Sequence, residues 1–231
     1  MYHVIAAPTP SSPFPGLYVD ASDFRRQMHA LAHAGYQAVT LDRVRRAWLG
    51  QGALPAHPIV ISFDNGYRTQ YTEALPILRR LGWVGDENLQ LTGLPPSQGG
   101  LTSRDVRALV AAGWELDTQG MSHADLNALD AAQLRYQITD ARTILRRRYH
   151  VPVNWFCYPS GYYDPAVVAA TVAAGYVGSM TVVPGWASPA DNRYELPRLR
   201  VLRGTTPAQL LRLVAGYRSS QPPPGAYPAS A

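Results

Sequence analysis

The chain has no lysine and a single cysteine among its 231 residues. All 21 of its basic side chains are therefore arginine, which we read as compositional bias rather than chemistry. The lone Cys157 excludes an intramolecular disulfide, so the fold does not depend on an oxidising compartment. Charged residues are scarce at 16%, against 46% apolar ones, which excludes a disordered, self-repelling chain. No apolar run approaches the ~18 residues needed to span a membrane. No leader sequence is expected in this stretch: Met1 runs straight into Tyr2-His3-Val4-Ile5, which reads as a first strand. The compartment stays open, cytoplasmic as the chain stands, or extracellular and cell-wall associated if an export segment has been trimmed. No arginine stripe is interleaved with aromatics, so a net charge of +5 does not point to nucleic acid. Arg146-Arg147-Arg148 reads as a solvated helix end.

What is present is an alternation of strand-length apolar runs with segments of helical period, the pattern of an α/β protein with parallel strands. Ser22 is placed to cap a helix carrying Phe24, Met28 and Leu31 and ending at Gly35. The run Ile59-Val60-Ile61-Ser62-Phe63 reads as a buried strand, with Asp64 and Asn65 at its C-terminal end. A helix through Tyr71, Leu75, Leu78 and Leu81 follows, with Pro76 as a kink or a start. Further strands are expected near 89–92, 114–118, 153–158 and 177–182, and helices over 103–112, 131–148, 165–174 and 207–216. Residues 217–231, rich in Pro, Ser and Ala, read as a disordered tail. With no repeat and no linker, residues 1–216 are expected to form one domain.

Two strings stand out: Ser62-Phe63-Asp64-Asn65-Gly66, and Ser122-His123-Ala124-Asp125-Leu126 about 60 residues further on. With Phe24 through Gly35-Tyr36, Ala74-Leu75-Pro76-Ile77-Leu78, Gly113-Trp114-Glu115-Leu116 and Tyr158-Pro159-Ser160-Gly161, they form a co-linear set over roughly residues 2 to 215. The set resembles the polysaccharide deacetylases, the NodB-homology family of carbohydrate esterases. The resemblance implies a single-domain distorted (β/α) barrel of about seven βα units, with its chemistry at the strand ends. It also implies metal-assisted hydrolysis of the acetamide of N-acetylated sugars. The first Asp of Thr-Phe-Asp-Asp-Gly is the base, the second Asp and a His-x-x-x-His pair hold the metal, and a later His is the acid.

On these positions Asp64 matches the base. The metal positions fall on Asn65, Gln119 and His123, so two ligands have become neutral amides, poor company for zinc, which prefers His, Cys and carboxylate. Asn65 also reads as a residue tolerated beside Gly66 in a tight turn, and His123 as a plain polar residue near the barrel mouth. If residues 114–119 are extended, Asp117 shares a face with Gln119 and is a possible replacement charge; it reads equally as a polar barrel residue. The family's Arg that orients the base falls on Cys157, and no His follows His150, so the acid is missing. The groove and oxyanion positions are Gly66, Tyr67, Tyr158, Pro159, Ser160, Gly161 and Trp186; the Ser160 backbone N–H needs no side chain to serve. Two or more of these aromatics also read as core.

The expectation is a monomeric domain that recognises an N-acetylated polysaccharide or oligosaccharide, of peptidoglycan or chitin type, with weak or no catalysis and no tightly bound cofactor. The alternatives are an active deacetylase with one divalent metal, zinc, in a rearranged site, and a protein-interaction domain with a vestigial groove. The polar stretch Gly85-Asp86-Glu87-Asn88 is expected to be a loop that displaces one strand.

Overall fold

The computed structural model describes residues 1–92, 94 and 99–219. Strand β1 (Gln37–Ala38) pairs in parallel with β2 (Pro58–Ile59) as a separate two-stranded sheet. The main sheet is parallel and curled, in the order β3 (Ser62–Asn65), β4 (Asp86–Leu89), β5 (Glu115–Thr118), β6 (Trp155–Cys157) and β7 (Gly178–Met180). Two segments join its edges. Beside β3, Tyr2 N donates to Ser62 O at 2.8 Å and Asp64 N to Tyr2 O at 3.0 Å. Beside β7, Thr181 N donates to Leu196 O and Arg198 N to Val183 O, both at 2.9 Å. The segments meet where Met1 N donates to Leu199 O at 2.6 Å and Val201 N to Met1 O at 3.1 Å. Five strands and two segments thus give seven staves, the barrel expected from the sequence.

Helices α1 (Ala21–His33), α2 (Leu41–Trp48), α3 (Leu75–Arg80), α4 (Ser103–Ala111), α5 (Ala131–Arg135), α6 (Ala141–Tyr149), α7 (Pro165–Ala173) and α8 (Pro207–Ser219) accompany the sheet. Strand side chains alternate, so Phe63, Leu89, Leu116 and Phe156 point one way, into apolar cores. Phe63 packs with Phe24, Met28, Leu78 and Trp114; the other three pack with Val106, Ile138, Leu145 and Val167. The alternate positions, Ser62, Asp64, Asp86, Asn88 and Asp117, carry the polar groups that meet inside.

Several local expectations are corrected. Asp20, not Ser22, caps α1: its carboxylate accepts from Ser22 N at 2.8 Å. The run 59–63 is not one strand, because Ile59 closes β2 and Ser62 opens β3. Pro76 has no N–H to return to the preceding turn, and a wide five-residue turn, Gln70–Ala74, leads into α3. Residues 217–219 belong to α8 rather than to a tail, and the rest of the expected tail, 220–231, lies outside the described residues.

The largest correction concerns residues 85–88. They are no loop: Asp86–Leu89 is β4, with β3 and β5 as its neighbours in the sheet. Two of its polar side chains, Asp86 and Asn88, carry structural duties. Asp86 Oδ2 accepts from Leu41 N at 2.8 Å, and Glu115 Oε2 of β5 accepts from Asp42 N at 2.9 Å, so two strands cap the first turn of α2. Carboxyls there satisfy amides that no helical partner can reach. Asn88, in register with Asp64, reaches across to it.

Candidate active site at the strand ends

The site is built around Asp64, 1% exposed on the last turn of β3. Arg198 grips it twice, Nη1 to Oδ1 at 2.7 Å and Nη2 to Oδ2 at 2.9 Å. Asn88 Nδ2 donates to Oδ1 at 2.9 Å. His3 Nε2 lies 3.9 Å from Oδ2, and Cys157 Sγ lies 3.7 Å from it. Gln70 ties the two strand ends together, donating Nε2 to the carbonyls of His3 (2.9 Å) and Asp64 (2.8 Å).

The electrostatics follow from this packing. Burial alone would raise the Asp64 carboxyl, but the charge and hydrogen bonds of Arg198 outweigh it and hold the group well below the usual carboxylate range. Burial lowers His3 to about 4, against the pull of Asp64, so its ring is neutral at pH 7. Burial pushes the Cys157 thiol far up, which leaves it protonated and unreactive.

Two gaps in the sequence reading are filled here. The arginine missing at Cys157 is supplied by Arg198, whose Nη2 sits 3.1 Å from Cys157 Sγ. The C-terminal stave carries no histidine, but His3 lies beside Asp64, because the N-terminal stave runs next to residues 196–201. Sequence order hid both. The only signal was the pairing of a His at the start of the chain with an Arg close to its end, which becomes meaningful once the barrel closes.

The metal positions are a different matter. Asn65 adopts a left-handed backbone, φ +78, followed by Gly66 at φ +89, where a Cβ would lie 2.3 Å from Leu89 Cδ1. Asn tolerates that conformation better than most residues. Asn65 Nδ2 donates to Gln90 Oε1 at 3.1 Å, Gln90 Nε2 donates to the Thr92 carbonyl, and Gln119 Oε1 accepts from Asn65 N at 2.9 Å. The amides at two ligand positions are therefore hydrogen-bonded to the polypeptide itself. His123 is exposed. Among the described residues, no three His, Cys, Asp or Glu side chains converge where they could hold a metal ion. The donor set does not fit the zinc that the fold family implies.

Asp117 does not join Asp64. Its Oδ1 accepts from Asn154 N at 3.0 Å and Trp155 N at 2.8 Å. The carboxyls it interacts with are Asp42, Asp86 and Glu115 below it in the barrel. Burial first, then mutual repulsion, raises Asp86 and Glu115; burial and Asp42 raise Asp117. Of the groove residues, Tyr158 is core: it is wholly buried, stacks on Tyr163 at 4.7 Å and donates its hydroxyl to Tyr194 O at 3.0 Å. Tyr67 packs with Val4 and Tyr18. Pro159 is buried, while Ser160 is exposed at φ +54 ahead of Gly161. Trp186 packs against the Phe24 core and lines an apolar cavity beside α2.

A parallel barrel with a buried Asp–Arg–His cluster at the strand ends is an α/β barrel whose polar groups collect where barrels of this kind carry their sites. The family model described as polysaccharide deacetylase matches residues 51–179, more than half the chain, and the chain belongs to that family. Bacillus subtilis YxkH, a polysaccharide deacetylase by name, is 27% identical over 205 residues, covering 88% of this chain and 71% of that protein. The Escherichia coli poly-beta-1,6-N-acetyl-D-glucosamine N-deacetylase is 38% identical over 65 residues, only 28% of this chain and 10% of that protein. The structure of the Streptococcus pyogenes deacetylase PplD in complex with acetate superposes with a TM-score of 0.83 at 24% identity, over 92% of this chain and 95% of that one. Among the described residues no helix is long and apolar enough to cross a membrane.

Proposed function

We propose that this domain recognises an N-acetylated glycan of peptidoglycan or chitin type at the mouth of the barrel and hydrolyses it slowly or not at all, without a tightly held metal. The observation that carries this reading is the amide chain Thr92–Gln90–Asn65–Gln119, which occupies the metal positions with neutral groups bonded to one another. Two further features support it. Asp64, clamped by a guanidinium, is a weak proton acceptor, and His3 at about 4 is a poor proton donor at neutral pH. The substrate class is taken from the family and from the N-acetylglucosamine polymer in the name of the E. coli relative.

The test is elemental analysis after incubation with zinc and exhaustive dialysis, run beside acetate-release assays on chitooligosaccharides, poly-β-1,6-N-acetylglucosamine and peptidoglycan fragments. Less than a tenth of an equivalent of zinc, binding to at least one glycan and negligible acetate are expected. One tightly held ion per chain, or turnover above about 1 s⁻¹, sinks the proposal.

One observation favours a second reading, an active hydrolase: His3 Nε2 lies 3.9 Å from Asp64 Oδ2, close enough for the two to work as acid and base. Asp64 would then accept the proton of the attacking water and pass it through His3 to the leaving amine, which leaves both groups as they began. Under that reading Asp64→Asn and His3→Gln each abolish acetate release, and an equally active variant rules it out.

A further inference from the structure

An apolar cavity of about 550 Å³ lies between α2, α8 and the closing segments of the barrel, apart from the amide chain. Its walls include Val44, Trp48, Ile59, Trp186, Leu196 and Leu210. Its inner end reaches Ser62 and Arg198. It is a cleft open to solvent on one side, and its mainly aliphatic and aromatic lining offers water few partners, so covering that surface with an apolar ligand is favourable. The volume falls in the range of roughly 300–1,000 Å³ typical of small-molecule sites.

The lining residues become more exposed toward Trp48, Pro55, Ala56 and Arg218, which form the mouth. Among the described residues Arg218 is the one cation at the mouth, and it is held in place. Its guanidinium bonds to His57 Nδ1, donates to Ala56 O at 3.2 Å, and lies 5.6 Å over the Tyr36 ring. A guanidinium has five N–H donors in a planar fork, and these two bonds leave others for an incoming group. An apolar hole with a fixed planar cation at its rim selects one kind of molecule, an alkyl chain ending in an anion that the fork can grip.

We propose that this cavity binds the chain of a long-chain carboxylate whose head pairs with Arg218. The cavity shares Trp186 and Arg198 with the site described above, but the proposal rests on its apolar walls and Arg218 and stands or falls without the glycan reading. A carboxylate head is favoured because its two oxygens match two parallel N–H groups of the planar fork.

The test uses the whole protein, stripped of lipid on a hydrophobic resin and titrated with dodecanoate below its micellar concentration. Trp48 and Trp186 line the cavity and report binding through their fluorescence, and calorimetry gives the stoichiometry. One dodecanoate per chain is expected. Arg218→Ala should weaken dodecanoate about tenfold while leaving dodecanol unchanged, since only the charged head is lost. Leu54→Trp, a half-buried lining position in a loop, should fill the mouth and weaken both ligands without lowering the melting temperature. No binding overturns the proposal. So does binding that Arg218→Ala or Leu54→Trp leaves untouched. Tighter, Arg218-dependent binding of dodecyl phosphate overturns the carboxylate assignment.

Discussion

Arg198 and Asp64, 134 residues apart in sequence, meet in a two-bonded ion pair that is almost entirely shielded from solvent. A charge pair in that position is worth little against an apolar replacement of both partners, but removing one partner leaves a bare buried charge. Arg198→Met should therefore cost about 3–5 kcal/mol in urea unfolding. In the same variant the Asp64 carboxyl should titrate well above its wild-type position by carboxyl-carbon NMR. Unchanged titration would show that Arg198 is not what holds Asp64 ionised.

His3 makes stability depend on pH. Its folded value of about 4 lies below the ordinary imidazole value, so below pH 6.5 the unfolded chain binds a proton that the folded chain refuses. Stability is therefore full above about pH 6.5 and falls as pH drops through 6.5 toward 4. The loss amounts to about 3 kcal/mol, from a shift of two to three units at 1.36 kcal/mol each. His3→Gln should lose this slope; the measurement is the wild-type minus variant unfolding free energy across pH 4–7. A flat difference rejects the assignment.

Glu87 behaves in the opposite sense. It is wholly buried with neither carboxyl oxygen hydrogen-bonded, and burial, then Asp64, raises its pKa well above the usual value. At neutral pH the unfolded chain gains by ionising Glu87 and the folded chain does not. Glu87→Gln removes that difference and should stabilise the protein at pH 7, the gain fading as pH falls toward the ordinary glutamate value of about 4.3. Chemical denaturation at pH 7 and pH 4.5 decides it.

Restoring the ligands should restore the metal. The double variant Asn65→Asp with Gln119→His supplies a carboxylate and a second imidazole beside His123. Zinc titration by calorimetry should show at least tenfold tighter binding than in the wild type, with each single variant gaining little. Zinc bound equally by wild type and double variant would mean that other residues hold it.

The barrel was legible in the sequence because strand-length apolar runs alternate with helical periods and the family strings follow one another along them, whereas the one cap that was read, Ser22, proved to be Asp20. β4 was not, because Asp86, Glu87 and Asn88 violate the apolar pattern of a buried strand. Their reasons lie far away, in the amides of Leu41 for Asp86 and the carboxylate of Asp64 for Asn88. The site was half legible. Asp64, Asn65 and Gln119 are read from motifs, whereas His3 and Arg198 enter only through barrel closure, which joins the first stave to the last. Tyr158 misled because a Tyr beside a motif looks the same in sequence whether its ring faces a groove or, as here, Phe156 and Tyr163.

The amide chain also constrains how this sequence can evolve. Asn to Asp and Gln to His are each one nucleotide apart in the genetic code, so the route back to a ligand set looks short. The hydrogen bonds run in one direction, however, from Asn65 to Gln90 and from Gln90 to Thr92. An Asp at 65 would set a carboxylate against the Gln90 carbonyl oxygen, and turning that amide over would set the same oxygen against the carbonyl of Thr92. A single reversion meets repulsion before it gains a metal, and the network acts as a ratchet that several coordinated changes are needed to release.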